Sequence, residues 1–329
     1  MFSKSATAFA EKSRSSLPSS DDDADMTSTQ GTIVQLIENF RLNPDLGEFV
    51  STIYSRQFKP QKFQARQLAA ALGTLAEGGC QYPNPSVQQN ITSAVQKFFV
   101  ALSDVMLRRP QSVLAEPEVH SINPFALLKG TSQLAVAHRP VSLSLIQLRS
   151  WSAHTPLIPY ELHVHGEAAV AASLVASLQK CCPNDDIFVA TPHRIQREAV
   201  KAALTRANSQ LPMDVAFEKM HLASGDRKPN VIVDTIERLQ GSEAAFVICL
   251  FSVPKSFTSD IGFLLERRRL NVAISRAKTL CILISSNEVL CPSVKVLAND
   301  EIAKGYAFLK AYEKRAWSYH LSVNVDNMA

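Results

Sequence analysis

The residues best equipped for chemistry are concentrated between positions 267 and 278. The string there is Arg268-Arg269-Leu270-Asn271-Val272-Ala273-Ile274-Ser275-Arg276-Ala277-Lys278, and five cations lie within it or beside it, just ahead of an apolar run. On a helix, Arg269, Val272/Ala273 and Arg276 fall at spacings of three to four, so the two arginines project from neighbouring turns. Guanidinium groups so placed fork onto phosphate oxygens; a solvated basic helix is the plain alternative. A second string, Thr235-Ile236-Glu237-Arg238-Leu239-Gln240-Gly241-Ser242-Glu243, separates two apolar runs. A polar crossing of this kind places side chains and backbone N–H groups at the carboxyl edge of a sheet, where α/β folds bind ligands. An ordinary connecting loop is its alternative. A third, Asn39-Phe40-Arg41-Leu42-Asn43-Pro44, carries one arginine on an amphipathic stretch, usually a surface position. A fourth, Thr191-Pro192-His193-Arg194-Ile195-Gln196, has Thr as N-cap and Pro at the first helical position. Such a helix start is a ready phosphate site, or simply a capped helix without a ligand.

Positioning these strings requires alternating strands and helices. Residues 141–148, 187–190, 231–234, 246–251 and 280–285 are short apolar runs that read as strands. Residues 166–180, 194–206 and 262–274 have helical spacing between them, with Ile195, Ala199, Val200 and Ala203 on the inner face of the second. Continuously apolar strands alternating with helices predict a parallel sheet covered on both faces. Upstream, residues 1–30 are rich in Ser, Thr and Asp and bury too little apolar surface to offset ordering entropy, so a mobile segment is expected. Residues 31–60 hold the Arg41 string. Residues 61–139 read as a helical insertion, with helices at 64–77 and 86–107, the latter carrying Val87, Ile91, Val95, Phe98, Leu102 and Val105 on one face. Residues 291–329 are expected to be a C-terminal helical extension.

The 329 residues are 46% hydrophobic, enough for a sizeable core. A net charge of +4 permits a nucleic-acid partner without proving one. Six cysteines form no CxxC pair and no zinc-type cluster, so no metal site is expected. Cys249 and Cys281 sit in apolar runs as buried thiols, which suits a reducing, intracellular setting, nucleus or cytoplasm. No stretch reaches the length of a membrane span, so no membrane partner is expected.

Taken together and in their order along the chain, the strings resemble motifs of superfamily 1 helicases, in the branch containing the up-frameshift RNA helicase of nonsense-mediated decay and its DNA-acting relatives. The 268–278 string is similar to motif VI, RRLNVAxTRAK, with Ser275 in place of Thr. The 235–243 string is similar to motif V, TVDxxQGxE, with Glu237 in place of Asp, and the 39–44 string resembles motif IV. The 191–196 string resembles TPYxxQ, with His193 in place of Tyr. The resemblance implies a RecA-like domain of the P-loop NTPase type, the second of two motor domains, with a helical insertion. It implies that Arg276 is the arginine finger reaching the ATP γ-phosphate and that Arg41 is a second such ligand. It implies that Glu243 contacts the ribose and that Gln240, with Gly241 and Arg269, belongs to the nucleotide side. Thr235 and the helix start at Thr191 would hold a strand of RNA or DNA.

Two parts of a complete motor are not found. No Gly is followed by Lys, so there is no P-loop, and the Asp300-Glu301 pair follows motif VI, where an Asn-Asp cap on a helix is the expected reading. ATP with Mg²⁺ is therefore expected to be shared with a missing first domain, supplied in cis or in trans, without which the chain is inactive. The alternative is a non-catalytic module retained for binding nucleic acid or protein.

Overall fold

The computed structural model describes residues 38–39, 44–51, 59–60, 68, 72, 88–108, 141–209, 231–239, 241–326 and 328. The segment 1–30, Arg41, Gln240, most of the 64–77 helix and most of the 61–139 insertion lie outside the described residues.

Apolar runs, joined by one amphipathic edge segment, become the strands of one parallel sheet. They are β3 (Leu143–Trp151), β4 (Ile187–Thr191), β5 (Val231–Thr235), β6 (Ala244–Phe251), β7 (Ala277–Ser285) and β8 (Trp317–Asn324), in the order β5-β4-β6-β7-β3-β8. Every neighbouring pair is parallel. The two-residue strands β1 (Glu38–Asn39) and β2 (Lys59–Pro60) pair separately.

Alternation along β6 shows why the run is apolar throughout. Phe246, Ile248 and Leu250 enter one core, and Val247, Cys249 and Phe251 enter the other. The first core lies under α2 (Gln88–Arg108), α3 (Tyr160–Cys181) and α4 (Arg194–Ser209). The second lies under α1 (Pro44–Ser51), α5 (Ile261–Leu264), α6 (Arg267–Ile274), α7 (Asn287–Leu290) and α9 (Asp300–Arg315); the short α8 (Val294–Leu297) precedes α9. The architecture is thus α/β with helices on both faces, RecA-like. The helical face expected on 86–107 is buried at Ile91, Val95, Phe98 and Leu102, where it packs on α3 and the sheet.

Three local expectations are corrected. The helix expected over 262–274 is two helices, broken where Glu266 turns to an extended conformation with ψ 112°. The cause is tertiary: α9 crosses the break at Gly305, whose missing Cβ would sit 1.5 Å from the Leu265 carbonyl oxygen. Residues 291–329 are not wholly helical, because β8 extends the sheet beside β3 as far as Trp151↔Asn324. Thr191 does not cap α4. It ends β4, and the first helical bond runs from the Arg197 N–H to the His193 carbonyl. The cap expected ahead of Glu301 is Asn299, whose Oδ1 accepts from the Glu301 and Ile302 N–H groups.

Candidate functional site

The parallel sheet separates the motif residues onto two opposite edges. β6 and β7 begin side by side, with Ala244 opposite Ala277, and the Ala244 N–H donates to the Arg276 carbonyl at 3.1 Å. Glu243 and Arg276 therefore stand together at the amino edge. Gly241 turns the chain into this edge at φ +88°, a backbone conformation that costs a residue with a Cβ. Arg276 Nη1 donates to the Ser242 carbonyl at 3.2 Å, Nε to the Val272 carbonyl at 3.0 Å and Nη2 to Ser275 Oγ at 3.4 Å. Glu243 Oε1 pairs with Lys278 Nζ at 2.5 Å, and both side chains are about one-third exposed. Gly241, Glu243 and Arg276 thus lie on one edge of the sheet. Lys278, read in the sequence only as one of a run of cations, joins them.

Arg269 is not part of this group. Its helix α6 runs back from the carboxyl edge to the amino edge, and Arg276 lies beyond its last residue, Ile274. The seven-residue step from one arginine to the other spans about 10 Å along such a path. The expectation that they project from neighbouring turns is corrected: α6 ends because Arg276 already leads into β7. The 235–243 crossing is corrected in the same way. Only its first half lies at the carboxyl edge, since β5 and β6 are parallel and the loop must return to the start of β6.

At the carboxyl edge Pro192, His193, Arg194, Thr235, Glu237, Arg238, Phe263 and Arg269 line a cleft of about 420 Å³. Thr235 faces it, but Thr191 is fully buried, and its hydroxyl donates to the Asp234 carbonyl at 3.2 Å. The Asp234 carboxylate accepts from the Thr235 N–H at 2.8 Å and from Arg197 at 3.1 Å. Partial burial pushes its pKa up, but these donors outweigh that and hold it below the usual range. Arg269 is held by Glu237 at 3.0 Å, by Glu266 at 2.7 Å and by the Phe263 carbonyl at 2.9 Å, with its guanidinium 3.6 Å above the Phe263 ring. His193 stacks on the same ring at 4.7 Å and 23°, and its Nε2 pairs with Asp260.

A chain of buried polar groups, of which the motif strings named only Gln196, runs between the helices and the sheet. Gln196 Nε2 donates to Glu167 Oε2 at 2.7 Å, and Ser252 Oγ bonds Glu167 Oε1 at 2.5 Å. His163 joins Ser252 through Nε2 and Ser150 through Nδ1, both at 2.9 Å. The chain links the carboxyl ends of β3 and β6 to α3 and α4. Glu167 is completely buried and faces no cation among the described residues, so burial pushes its carboxyl up to about 7 against the Ser252 and Gln196 hydrogen bonds. Burial likewise pushes His163 down to about 4. The available signal was a lone acid in an Ala-rich helix with no cation three or four residues on. Phe263 gave no signal, because it reads as one more apolar residue in 261–265.

Among the described residues no group of three or more His, Cys, Asp or Glu is placed to hold a metal ion, so they offer no Mg²⁺ ligand set. No helix among them is long and apolar enough to cross a membrane.

Residues 146–288 match the model of a protein family described as an AAA domain. The chain is similar to the candidate ATP-dependent RNA helicase ECM32 of Saccharomyces cerevisiae, 32% identical over 136 residues, which cover 35% of this chain and 12% of that protein. It is also similar to a homolog of regulator of nonsense transcripts 1 from Neurospora crassa, 32% identical over 106 residues, covering 32% of this chain and 8% of that protein. The chain thus spans about a tenth of the length of the curated relatives it matches.

Proposed function

Residues 146–288 are a superfamily 1 helicase domain of the up-frameshift-like branch, and on that premise we propose that the chain acts as the C-terminal motor domain of an ATP-dependent RNA or DNA helicase. The observation that supports this most is the division of the motif residues between the two edges of one sheet. The amino edge presents Arg276, Glu243, Lys278 and the Gly241–Ser242 backbone. Arg276 there would carry charge on the γ-phosphate, and Glu243 would accept from the ribose hydroxyls. The carboxyl edge presents Thr235, Arg194 and Arg238 to a single strand. No Gly in the sequence is followed by Lys, and the described residues hold no Mg²⁺ ligand set. The P-loop and the Mg²⁺ ligands would come from another domain, in cis or in trans, with the nucleotide between the two. Such a protein would work inside the cell, in nucleus or cytoplasm. Arg41 and Gln240 are proposed for the nucleotide side by their motif positions alone.

The test is reconstitution. The chain by itself should show no nucleic-acid-stimulated ATP hydrolysis. Adding a matching P-loop domain should produce it, and Arg276→Ala should lower the rate by about 10³-fold or more. Turnover by the chain alone that persists in Arg276→Ala would remove the assignment. A second reading, a non-catalytic module for nucleic acid or protein, draws on one observation: Arg276 and Glu243 are both engaged within the domain, by the Ser242 and Val272 carbonyls and by Lys278. Tight strand or partner binding with no complementation by a P-loop domain would favour it.

A further inference from the structure

One face of the sheet is covered only in part. β8 pairs with β3 on one side and is the last strand of the sheet. Its alternate residues Trp317, Tyr319, Leu321 and Val323 turn to the first core. The residues between them turn to the other side, where α1 and α9 cover the second core, but no residue of β8 belongs to that core. Ser318, His320 and Ser322 are exposed there. The uncovered area continues onto β3. Leu143 and Leu145 are buried in the second core, whereas on the same face Gln147 is half-buried, Arg149 is exposed and Trp151 is 43% exposed. Register sets Gln147 beside His320 and Arg149 beside Ser322.

Two properties of this area point to one kind of occupant. The first is the edge. Half of the backbone N–H and C=O groups of β8 face away from β3, and no strand among the described residues pairs with them. Edge strands are ordinarily blunted by Lys, Pro, inward-pointing charge or a bulge. Trp317–Asn324 carries no Lys, Pro, Asp or Glu, and its register runs unbroken from Ser144↔Trp317 to Trp151↔Asn324. Only another peptide backbone matches that row of donors and acceptors. The second property is charge. No Asp or Glu stands on this face of β3 or β8, and among the described residues Arg149 has no ion-pair partner. Ser322 is small, so the Arg149 side chain can reach across it to the edge. Lys314, in the last turn of α9 on the same side of the sheet, is exposed as well, while the acids near it are paired, Glu313 with Lys310 and Glu48 with Arg315.

We propose that the free edge of β8, with the uncovered face of Arg149, Trp151 and His320 beside it, docks an extended acidic segment of a partner protein, which adds one strand to the sheet. Backbone pairing holds the segment along β8, and its acidic side chains lie over Ser318 and Ser322 toward Arg149 and Lys314. A second copy fits less well. Antiparallel pairing of two β8 edges would bring the cations of both copies onto one continuous face with no acid between them. A nucleic acid has phosphates for Arg149 but no backbone that pairs with a strand edge. The surface goes beyond the motor reading, since β8 lies at the opposite margin of the sheet from β5, whose end carries Thr235.

The test uses the full chain and a capped peptide alternating Glu and Val, about the length of β8, beside its counterpart with Lys for Glu. Fluorescence anisotropy of the labelled peptides gives affinity, and hydrogen exchange read by mass spectrometry gives the place. The Glu peptide should bind about tenfold more tightly than the Lys peptide, less so as salt rises, and should slow exchange in residues 317–324. The double variant Arg149→Glu, His320→Glu should reverse the preference. Both positions are exposed, and melting curves matched to the unmodified chain show that the reversal reports charge and not the fold. Successive residues of a strand turn their N–H groups to opposite sides. Methylating either the Val or the Glu nitrogens of the peptide should therefore weaken binding about tenfold or more in one case, the set facing β8, and little in the other. Equal binding of Glu and Lys peptides, no protection of 317–324, or binding untouched by either methylation would overturn the proposal. Self-association of the chain that protects 317–324 and excludes the peptide would overturn it in favour of a second copy. An oligonucleotide whose binding falls in the double variant, with no peptide bound, would assign the face to nucleic acid instead.

Discussion

Replacing Glu167 by Gln should make this domain more stable at neutral and alkaline pH, although Glu167 is fully buried and hydrogen-bonded. Its carboxyl has a pKa of about 7 in the folded protein against 4.5 for the free group. The folded state therefore binds the proton more tightly than the unfolded chain does. Below pH 4.5 both states are protonated and ionisation costs nothing. Between pH 4.5 and about 7 stability falls by about 1.4 kcal/mol per pH unit, and above 7 the full cost of about 3 kcal/mol is reached. Gln imitates the protonated acid. The chain of hydrogen bonds accommodates it, because the Gln amide can donate to Ser252, Ser252 to His163 Nε2, and the His163 Nδ1–H to Ser150, in the tautomer that suits. Calorimetric melts at fixed ionic strength should show Glu167→Gln and the unmodified chain within about 1 kcal/mol at pH 5. At pH 8 the variant should gain up to about 3 kcal/mol, or about 6–12 °C in melting temperature for an ordered region of this size. A difference that is the same at pH 5 and pH 8, or a variant less stable at pH 8, would refute the reasoning. Glu167→Ala, which leaves a cavity and strands the Gln196 amide, should lose stability at both.

Three further outcomes follow from single contacts. Gly305→Ala places a Cβ 1.5 Å from the Leu265 carbonyl oxygen, which is backbone and cannot swing aside. It should cost about 3 kcal/mol or more and shift α9 off the α5–α6 corner, read as a lowered denaturant midpoint. Tyr312→Phe removes a buried hydroxyl that donates to the Ser144 and Cys281 carbonyls at 3.0 and 3.1 Å, and should cost about 1–2 kcal/mol in chemical denaturation. Gly241→Ala meets no atom within 4 Å of the new Cβ but must hold φ +88°, so its loss should be about 1–2 kcal/mol by the same assay, and Gly241→Asn should lose less.

Much of the fold was legible because its strands are apolar throughout and its helices periodic. Each strand predicted between 141 and 285 was found within three residues of its expected ends, as were the helix beginning at Arg194 and the buried face of 86–107. The strand β8 was missed because Trp317–Asn324 alternates exposed residues with half-exposed or buried ones at an edge and lacks that apolar signature. The site was legible in composition more than in arrangement. Gly241, Glu243 and Arg276 lie on one edge, while Arg269 does not join them and Thr191 turns inward.

The sequence alone determined which residue types exist to meet phosphate, and which runs must be buried. Those depend on local pattern and on the cost of exposing apolar surface. Tertiary structure decided which of those residues share a place. A parallel sheet returns every crossover to its opposite edge, so residues seven positions apart in one helical string, Arg269 and Arg276, end on different edges. It also brought Glu167, Ser252 and Gln196 together from two helices and the end of a strand. The energy of that buried carboxyl comes from its solvent exclusion and its partners, and neither is encoded by its neighbours in the chain.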